Sequence, residues 1–290
     1  MPDWQTLFSA LGDHQSELSP ANLPRPVGGG NISAAWQLRT ADGMLFLKTG
    51  PAYAYSMFRA EADGLRELAQ ADAVRVPKVL HCVRAGNESL LALEWIDFGI
   101  PDSSTEQALG TLLAKQHRVC KERFGWHRDN TIGSTPQKNA WSADWISFFA
   151  EHRLGFQLEL AERKGFRREL RSEGRQLIDN LGDFFSGYRP MASLLHGDLW
   201  GGNWAAAEGQ PVIFDPAVYY GDRETDIAMT RLFGGFGHGF YAAYEAAWPL
   251  AAGSEKRIRL YQLYHVLNHL NLFGGSYLRR AQNLLRDLCN

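Results

Sequence analysis

At 290 residues, 45% of them apolar and 12% aromatic, the chain is long enough for about two domains with sizeable cores. Thirty Lys and Arg stand against 32 Asp and Glu, a net charge of −2 with no long run of one sign. That balance argues against a protein held on nucleic acid by a clustered basic surface. The three cysteines, Cys82, Cys120 and Cys289, are odd in number and lack metal-ligand spacing, so neither a disulfide framework nor a structural zinc site is expected. The most apolar stretch, Tyr241 to Ala252, is interrupted by Glu245 and too short to span a bilayer. No Lys or Arg precedes Arg25 and no signal-like apolar run follows the start, so a cytoplasmic location is expected, with no nucleic-acid or membrane partner. No feature fixes the oligomeric state, and a monomer is the expectation.

In chain order, Ile32 to Thr40 and Met44 to Thr49 read as strands joined through Ala41-Asp42-Gly43, a hairpin signal. Phe58, Ala62, Leu65 and Leu68 recur at helical spacing with polar residues between them. A second strand pair follows at Lys78–Arg84 and Ser89–Trp95, turned at Ala85-Gly86-Asn87-Glu88. Beyond Phe98 the pattern changes to helices. Ser103-Ser104-Thr105-Glu106 fits a capping box ahead of an apolar face of Ala108, Leu109, Leu112 and Leu113. Ala143–Leu160, Glu169–Phe185, Asp226–Leu232 and Leu260–Phe273 also read as helices, with short strand-like runs at Ser193–Leu195 and Val212–Phe214. The fold class expected is α+β, with a β-rich unit over 1–97 and a mainly helical unit over 98–290.

The strongest chemical signal is His196-Gly197-Asp198-Leu199-Trp200-Gly201-Gly202-Asn203, followed by Val212-Ile213-Phe214-Asp215-Pro216. Asp198 and Asn203 have the D-x-x-x-x-N spacing of a kinase-type catalytic loop, and Asp215 follows a short apolar run where such enzymes carry a metal-binding Asp. Asp198 is then the candidate base for an acceptor hydroxyl, and Asn203 and Asp215 offer hard oxygens to Mg²⁺. Each residue alone reads as an ordinary turn former beside glycines. The ordered set, with partners upstream, is what points to chemistry. Lys48 lies near the end of the second strand and Glu61 thirteen positions later on the helix, placed to form an ion pair on ATP phosphates. Gly28, Gly29, Gly30, Asn31 and Ser33 precede the first strand, where backbone amides can approach phosphate oxygens. Backbone groups of Glu94 and Ile96, at the junction of the two units, are candidates for the adenine edge, although a bland strand end reads nearly as well. His117, His127, His152, His238, His265 and His269 form no catalytic set, and His196 is expected to hold the catalytic loop by hydrogen bonds.

The chain resembles the fructosamine kinase family, within the aminoglycoside-phosphotransferase and protein-kinase-like fold. The resemblance is carried by the triple-glycine loop, Phe46-Leu47-Lys48, Phe58-Arg59-Ala60-Glu61-Ala62, Asp129 to Gln137, Trp145-Ile146-Ser147-Phe148-Phe149, His196 to Trp200 and Tyr220-Gly221-Asp222-Arg223-Glu224. It implies a two-lobed enzyme that uses ATP and Mg²⁺ to phosphorylate a hydroxyl, typically the 3-hydroxyl, of a ketoamine sugar or glycated amine or protein. Trp200 would then face the sugar, unless it is a core tryptophan. Arg223 and Glu224 would be substrate-side groups, with loop salt bridges an equal reading, and Asp226 would brace the catalytic loop. Many members of the resembled family carry a redox-active cysteine after the three glycines; here the position is Asn31. The rival readings are a kinase of the same fold acting on an aminoglycoside, choline, homoserine or similar hydroxyl compound, and a pseudokinase that only binds. Fold alone does not name a substrate.

Overall fold

A computed structural model of the chain describes residues 2–11, 23–28, 33–41 and 43–290. Helix α1 (Trp4–Ser9) is capped by Asp3, whose carboxylate accepts from the Thr6 amide at 3.1 Å. The strands β1 (Arg25–Val27), β2 (Ala34–Thr40) and β3 (Gly43–Pro51) precede helix α2 (Tyr55–Gln70), and β4 (Val79–Ala85) and β5 (Glu88–Glu94) follow it. The five strands form one antiparallel sheet in the order β1-β2-β3-β5-β4. Successive side chains of a strand point to opposite faces, and in β5 both faces are covered. Leu90 and Ala92 pack with Trp4, Leu7 and Phe8 of α1, while Leu91 and Leu93 join the main core beside Phe58, Leu65 and Leu68 of α2. This explains why Leu90 to Leu93 read as a continuous apolar run.

Past Glu94 the chain crosses to the second lobe, where the Gly99 amide donates to the Ala206 carbonyl at 2.8 Å. Helix α3 (Ser103–His117) starts one residue earlier than the capping-box reading requires: the cap is Asp102, which accepts from the Thr105 amide at 2.8 Å. Glu106 does not reach back to the cap and packs against Gly237. Cys120 lies beyond α3, in strand β6 (Cys120–Lys121). A small hairpin follows, β7 (Asn130–Ile132) and β8 (Thr135–Gln137). The single helix expected over 143–160 is α4 (Trp145–Phe149), a wide-turned segment over Ala150–Gly155, and α5 (Phe156–Ala161). Helix α6 (Arg167–Asp179) stops short of the expected Phe185, which belongs to a tighter turn over Leu181–Phe185.

The strands β9 (Ala192–Leu195), β10 (Trp204–Ala207), β11 (Gln210–Ile213) and β12 (Tyr219–Gly221) carry the catalytic-type motifs. β9 is flanked by β12 and β6, and β10 pairs with β11. Helices α7 (Glu224–Phe233), α8 (His238–Ala247), α9 (Ser254–Phe273) and α10 (Leu278–Cys289) complete the lobe. α9 is buried on most of its circumference, with Leu260, Leu263, Tyr264, Val266, Leu267 and Leu270 joined there by the polar Arg257, His265, Asn268 and Asn271, as befits a central helix. Among the described residues no helix is long and apolar enough to cross a membrane.

Candidate active site

Lys48 sits on β3 opposite Ala35 of β2 and Leu91 of β5, with its stem buried by the sheet. Its ammonium lies 2.7 Å from Glu61 Oε1 on α2 and 2.5 Å from Asp215 Oδ1 in the other lobe. Two carboxylates hold its pKa well above the ordinary lysine range despite burial, so it is a fixed positive charge. Gly28 closes β1 and Ser33 immediately precedes β2, so both flank the glycine loop; Gly29, Gly30 and Asn31 lie outside the described residues.

Asp198 follows β9 through a turn that only glycine can make. Gly197 has φ +84°, and a Cβ there would lie 2.1 Å from the Ala217 carbonyl oxygen. The turn is held from below by Asp226, at the start of α7. Its two carboxylate oxygens accept from the His196 and Gly197 amides, each at 2.8 Å, and one also contacts His117 Nε2 at 3.1 Å. Burial pushes the Asp226 carboxyl up, but the hydrogen bonds from His117 and from the Gly197 amide outweigh it and leave it below the ordinary range. His196 does what its position suggested: Nε2 donates to the Phe214 carbonyl at 3.0 Å, and Nδ1 accepts from the Asp198 amide at 3.3 Å. Burial holds its pKa down, so it is a neutral spacer between the two motif segments.

Asn203 ties the same segments together. Its amide donates to the Asp198 carbonyl at 2.9 Å and lies 3.4 Å from the Asp198 carboxylate, while the Phe214 amide donates to the Asn203 carbonyl at 3.0 Å. Asp215 stands at φ +56° with half its side chain exposed. The half-buried Asp198 carboxyl is pushed up to about 7, first by burial and then by the charges of Asp215 and Asp226, with Asn203 opposing. The Asp215 carboxylate, half exposed, and the Asn203 side chain, whose amide lies 3.5 Å from the Asp215 carbonyl, offer oxygen donors of the kind a hard divalent cation takes. Among the described residues no cluster of three or more His, Cys, Asp or Glu side chains surrounds a metal position. Mg²⁺ commonly takes one or two carboxylates and completes its shell with water and phosphate oxygens.

The remaining expectations divide. Trp200 is 39% exposed on the catalytic loop, its ring lying over Gly202, where a Cβ would meet it at 2.3 Å. Glu94 ends β5 with its carboxylate on Arg75 at 2.9 Å and on the Lys78 amide at 3.1 Å, and its own amide donates to the Lys78 carbonyl. Ile96 is half-buried just beyond it. Arg223 and Glu224 are not gathered with these groups. Both Glu224 oxygens are taken by Arg257, at 2.8 and 2.9 Å, and Arg223 is spent on the Tyr244 hydroxyl and the Trp248 and Pro249 carbonyls while stacked on Trp248. Buried charges need such partners: Glu224 has its partner in the salt bridge to Arg257, whereas Arg223 is held by a hydroxyl and two carbonyls.

Sequence reasoning assigned no job to Asn130 and Gln137 beyond the resemblance. They clamp the backbone that follows Asp215: Asn130 donates to the Val218 carbonyl at 2.8 Å and Gln137 to the Ala217 carbonyl at 3.0 Å. Gln137 also donates to Asn130 and accepts from the Tyr264 hydroxyl, both at 2.8 Å. Two amides seven residues apart, bracketing a Gly-Ser turn, were the available signal.

Comparison with known proteins agrees with this geometry. The family model for fructosamine kinase matches residues 3–290. A probable ketoamine kinase of Synechocystis sp. is 41% identical over 287 residues, covering 98% of this chain and 96% of its own. A chloroplastic protein-ribulosamine 3-kinase of Arabidopsis thaliana is 43% identical over 267 residues, covering 90% of this chain and 81% of its own. A solved structure from Haemophilus somnus 129PT, described as a candidate fructosamine-3-kinase, superposes with a TM-score of 0.90 at 28% identity over 99% of this chain and 98% of that one. The aminoglycoside phosphotransferase APH(4)-Ia superposes with a TM-score of 0.65 at 15% identity over 92% and 93%, a likeness of fold. The chain belongs to the fructosamine kinase family and is an ATP-dependent phosphotransferase of the kinase-like fold.

Proposed function

We propose that the protein transfers the γ-phosphoryl group of MgATP to the 3-hydroxyl of a ketoamine sugar, free or attached to a protein amine. The observation that carries this reading is the meeting of Lys48, Glu61 and Asp215 within 2.7 Å across the two lobes, beside Asp198 and Asn203. In this reading Lys48 binds the nucleotide phosphates, and the glycine-rich sequence between Gly28 and Ser33 supplies backbone amides for their oxygens. Asp215 and Asn203 hold Mg²⁺, which supplies charge neutralisation to the transferring phosphate. Asp198 accepts a hydrogen bond from the acceptor hydroxyl, points its oxygen at phosphorus and takes the proton at a carboxylate oxygen as the new P–O bond forms and the bond to ADP breaks. Positioning and electrostatics account for most of the rate. Trp200 offers an aromatic face to the sugar.

The plant relatives are named for ribulosamines, so both ribulose and fructose adducts belong in the test. The decisive experiment is an ATP-consumption screen with fructoselysine and ribuloselysine beside an aminoglycoside and choline, the phosphorylated carbon being located by NMR. Turnover of the ketoamines with phosphate on C3 supports the reading. Preference for the aminoglycoside or choline, or no turnover, rejects it.

A further inference from the structure

Glu61 can hold Lys48 only if α2 stays where it is, and α2 is tied to the second lobe by side chains that the site described above does not use. Two of its acidic residues, Asp63 and Glu67, reach across. Asp63 Oδ2 lies 2.5 Å from Arg128 Nη1, in a pair only 24% exposed on each side, and the same guanidinium donates to the Ser56 carbonyl at 3.4 Å in the first turn of α2. Glu67 Oε1 accepts from the Tyr220 hydroxyl at 2.6 Å and from Lys121 at 3.1 Å, and the Lys121 ammonium sits 4.4 Å from the Tyr220 ring centre. Between the two ties lies Gly64, where a Cβ would come within 3.1 Å of Val218, so the helix backbone rests directly on the segment that follows Asp215. Glu61, Gly64 and Glu67 are spaced by three, which puts them along one side of the helix.

The segment underneath is itself fixed. The Ala217 amide donates to the His196 carbonyl and the Tyr220 amide to the Gly125 carbonyl, each at 2.8 Å, and Ala217 to Asp222 are all buried. No exposed loop intervenes between Asp215 and α7. We propose that Asp63 and Glu67, with Arg128, Lys121 and Tyr220, are positioning residues that anchor α2 and keep Glu61 on Lys48, so that the nucleotide ion pair stands assembled without an activating event. This rests on the reading of Lys48 and Glu61 given above. No hydrogen bond or ion pair joins the ties to Lys48, Asp198 or Asp215, so on this proposal they act through the placement of Glu61.

The test is a double-mutant cycle with purified full-length protein, using MgATP and the ketoamine turned over fastest in the screen. Arg128→Ala and Glu67→Ala are each measured alone and combined with Glu61→Gln, with thermal unfolding recorded for every variant. Misplacement of a positioned group by a remote change costs up to about 10²-fold, so each single variant is expected to lower kcat/KM for ATP by roughly 10- to 100-fold while leaving KM for the ketoamine within about twofold. In the Glu61→Gln background the same changes are expected to cause little further loss, since residues acting through one group are not additive. Tyr220→Phe, which removes a single hydroxyl and preserves the ring, serves if the alanine variants do not fold, and is expected to show a smaller loss of the same pattern. Unchanged ATP kinetics in these variants, a loss that persists undiminished without Glu61, or equal damage to both KM values would overturn the proposal. If Glu61→Gln itself leaves ATP kinetics intact, the reading of the Lys48–Glu61 pair falls first and the proposal with it. If Glu61→Gln is impaired and the others are not, only the anchoring proposal falls.

Discussion

Replacing Gly197 by alanine tests how the catalytic turn is held, because the perturbation adds one methyl group and removes no functional side chain. Its φ of +84° disfavours any residue with a Cβ, and such strain costs about 1–3 kcal/mol. The added Cβ would stand 2.1 Å from the Ala217 carbonyl oxygen, a backbone atom, whereas real contacts essentially never fall under 3.0 Å. Either the turn or the strand segment must move by about 1 Å, a displacement of the kind that costs about 10²-fold in rate when it reaches a positioned group. The movement also strains the 2.8 Å bond from the Ala217 amide to the His196 carbonyl. We expect kcat to fall by about 10²-fold and Tm by roughly 4–12 °C, taking about 2–3 kcal/mol at about 2–4 °C per kcal/mol. The assay is initial rate at saturating ATP and ketoamine, with thermal unfolding in parallel. Gly209→Ala is the control: it has φ +76° in the β10–β11 turn but nothing within 4 Å of a Cβ, so it should lose stability with little loss of rate. A Gly197→Ala enzyme with normal turnover, or a Gly209→Ala enzyme equally inactive, would refute the reasoning.

Asp198→Asn should lower kcat by at least about 10²-fold with KM for MgATP nearly unchanged, as expected for a positioned base; near-normal turnover in the kinase assay would remove Asp198 from that role. Trp200→Ala should raise KM for the ketoamine several-fold and leave KM for ATP alone, since an aromatic face contributes about 0.5–1.5 kcal/mol; equal effects in steady-state kinetics would return Trp200 to a packing role. Asp226 has its carboxyl below the ordinary range, so its stabilising effect is present above about pH 4 and lost as pH falls further. The Tm difference between the unmodified protein and Asp226→Asn should therefore shrink on acidification, and a difference that grew would reverse the sign argued here. Cys82, Cys120 and Cys289 are all half-buried with burial raising their thiols, Cys82 to about 11. Activity should be insensitive to diamide, and reversible inactivation in a rate assay would show otherwise.

Much of this was legible in the chain because long elements repeat their period. Phe58, Leu65 and Leu68 gave α2, and two strand pairs, each joined by a turn containing glycine, gave β2 to β5. The elements that escaped the reading are the strands of two to four residues, β1, β6, β7, β8, β10 and β12, and the helices α1, α8 and α10. A strand of three residues has no period, and these are specified by side-chain amides such as Asn130 and Gln137 and by close backbone contacts. The cap of α3 was misplaced by one residue for a related reason. Asp102 and Ser103 are both good caps, and the choice was made by which side chain met the Thr105 amide. At the site, the spacing of Asp198, Asn203 and Asp215 identified the loop, whereas the fate of Arg223 and Glu224 depended on Arg257, Trp248 and Tyr244, more than twenty residues away. Charged residues next to a motif carry no mark in sequence that separates a substrate contact from a buried brace.

The distribution of burial around the site has a consequence for specificity. Lys48, His196, Asn203 and Asp226 are buried and each is held by at least two partners from different segments, so none can change its reach without disturbing the others. On the proposed reading, the group offered to the acceptor is of another kind. Trp200 is exposed, resting on a glycine, and its loop lies close against the Gly234-Gly235 turn, where a Cβ at Gly235 would come within 2.6 Å of the Gly201 backbone. A substitution at Trp200 therefore alters the surface presented to a sugar without touching the Asp198 turn, which Asp226 secures from the opposite side. On the proposed reading, phosphoryl transfer is built from interlocked parts and acceptor choice from a replaceable one. Relatives sharing the interlocked parts can then differ in the ketoamine they take, and for this chain the acceptor panel is more informative than any further reading of the catalytic loop.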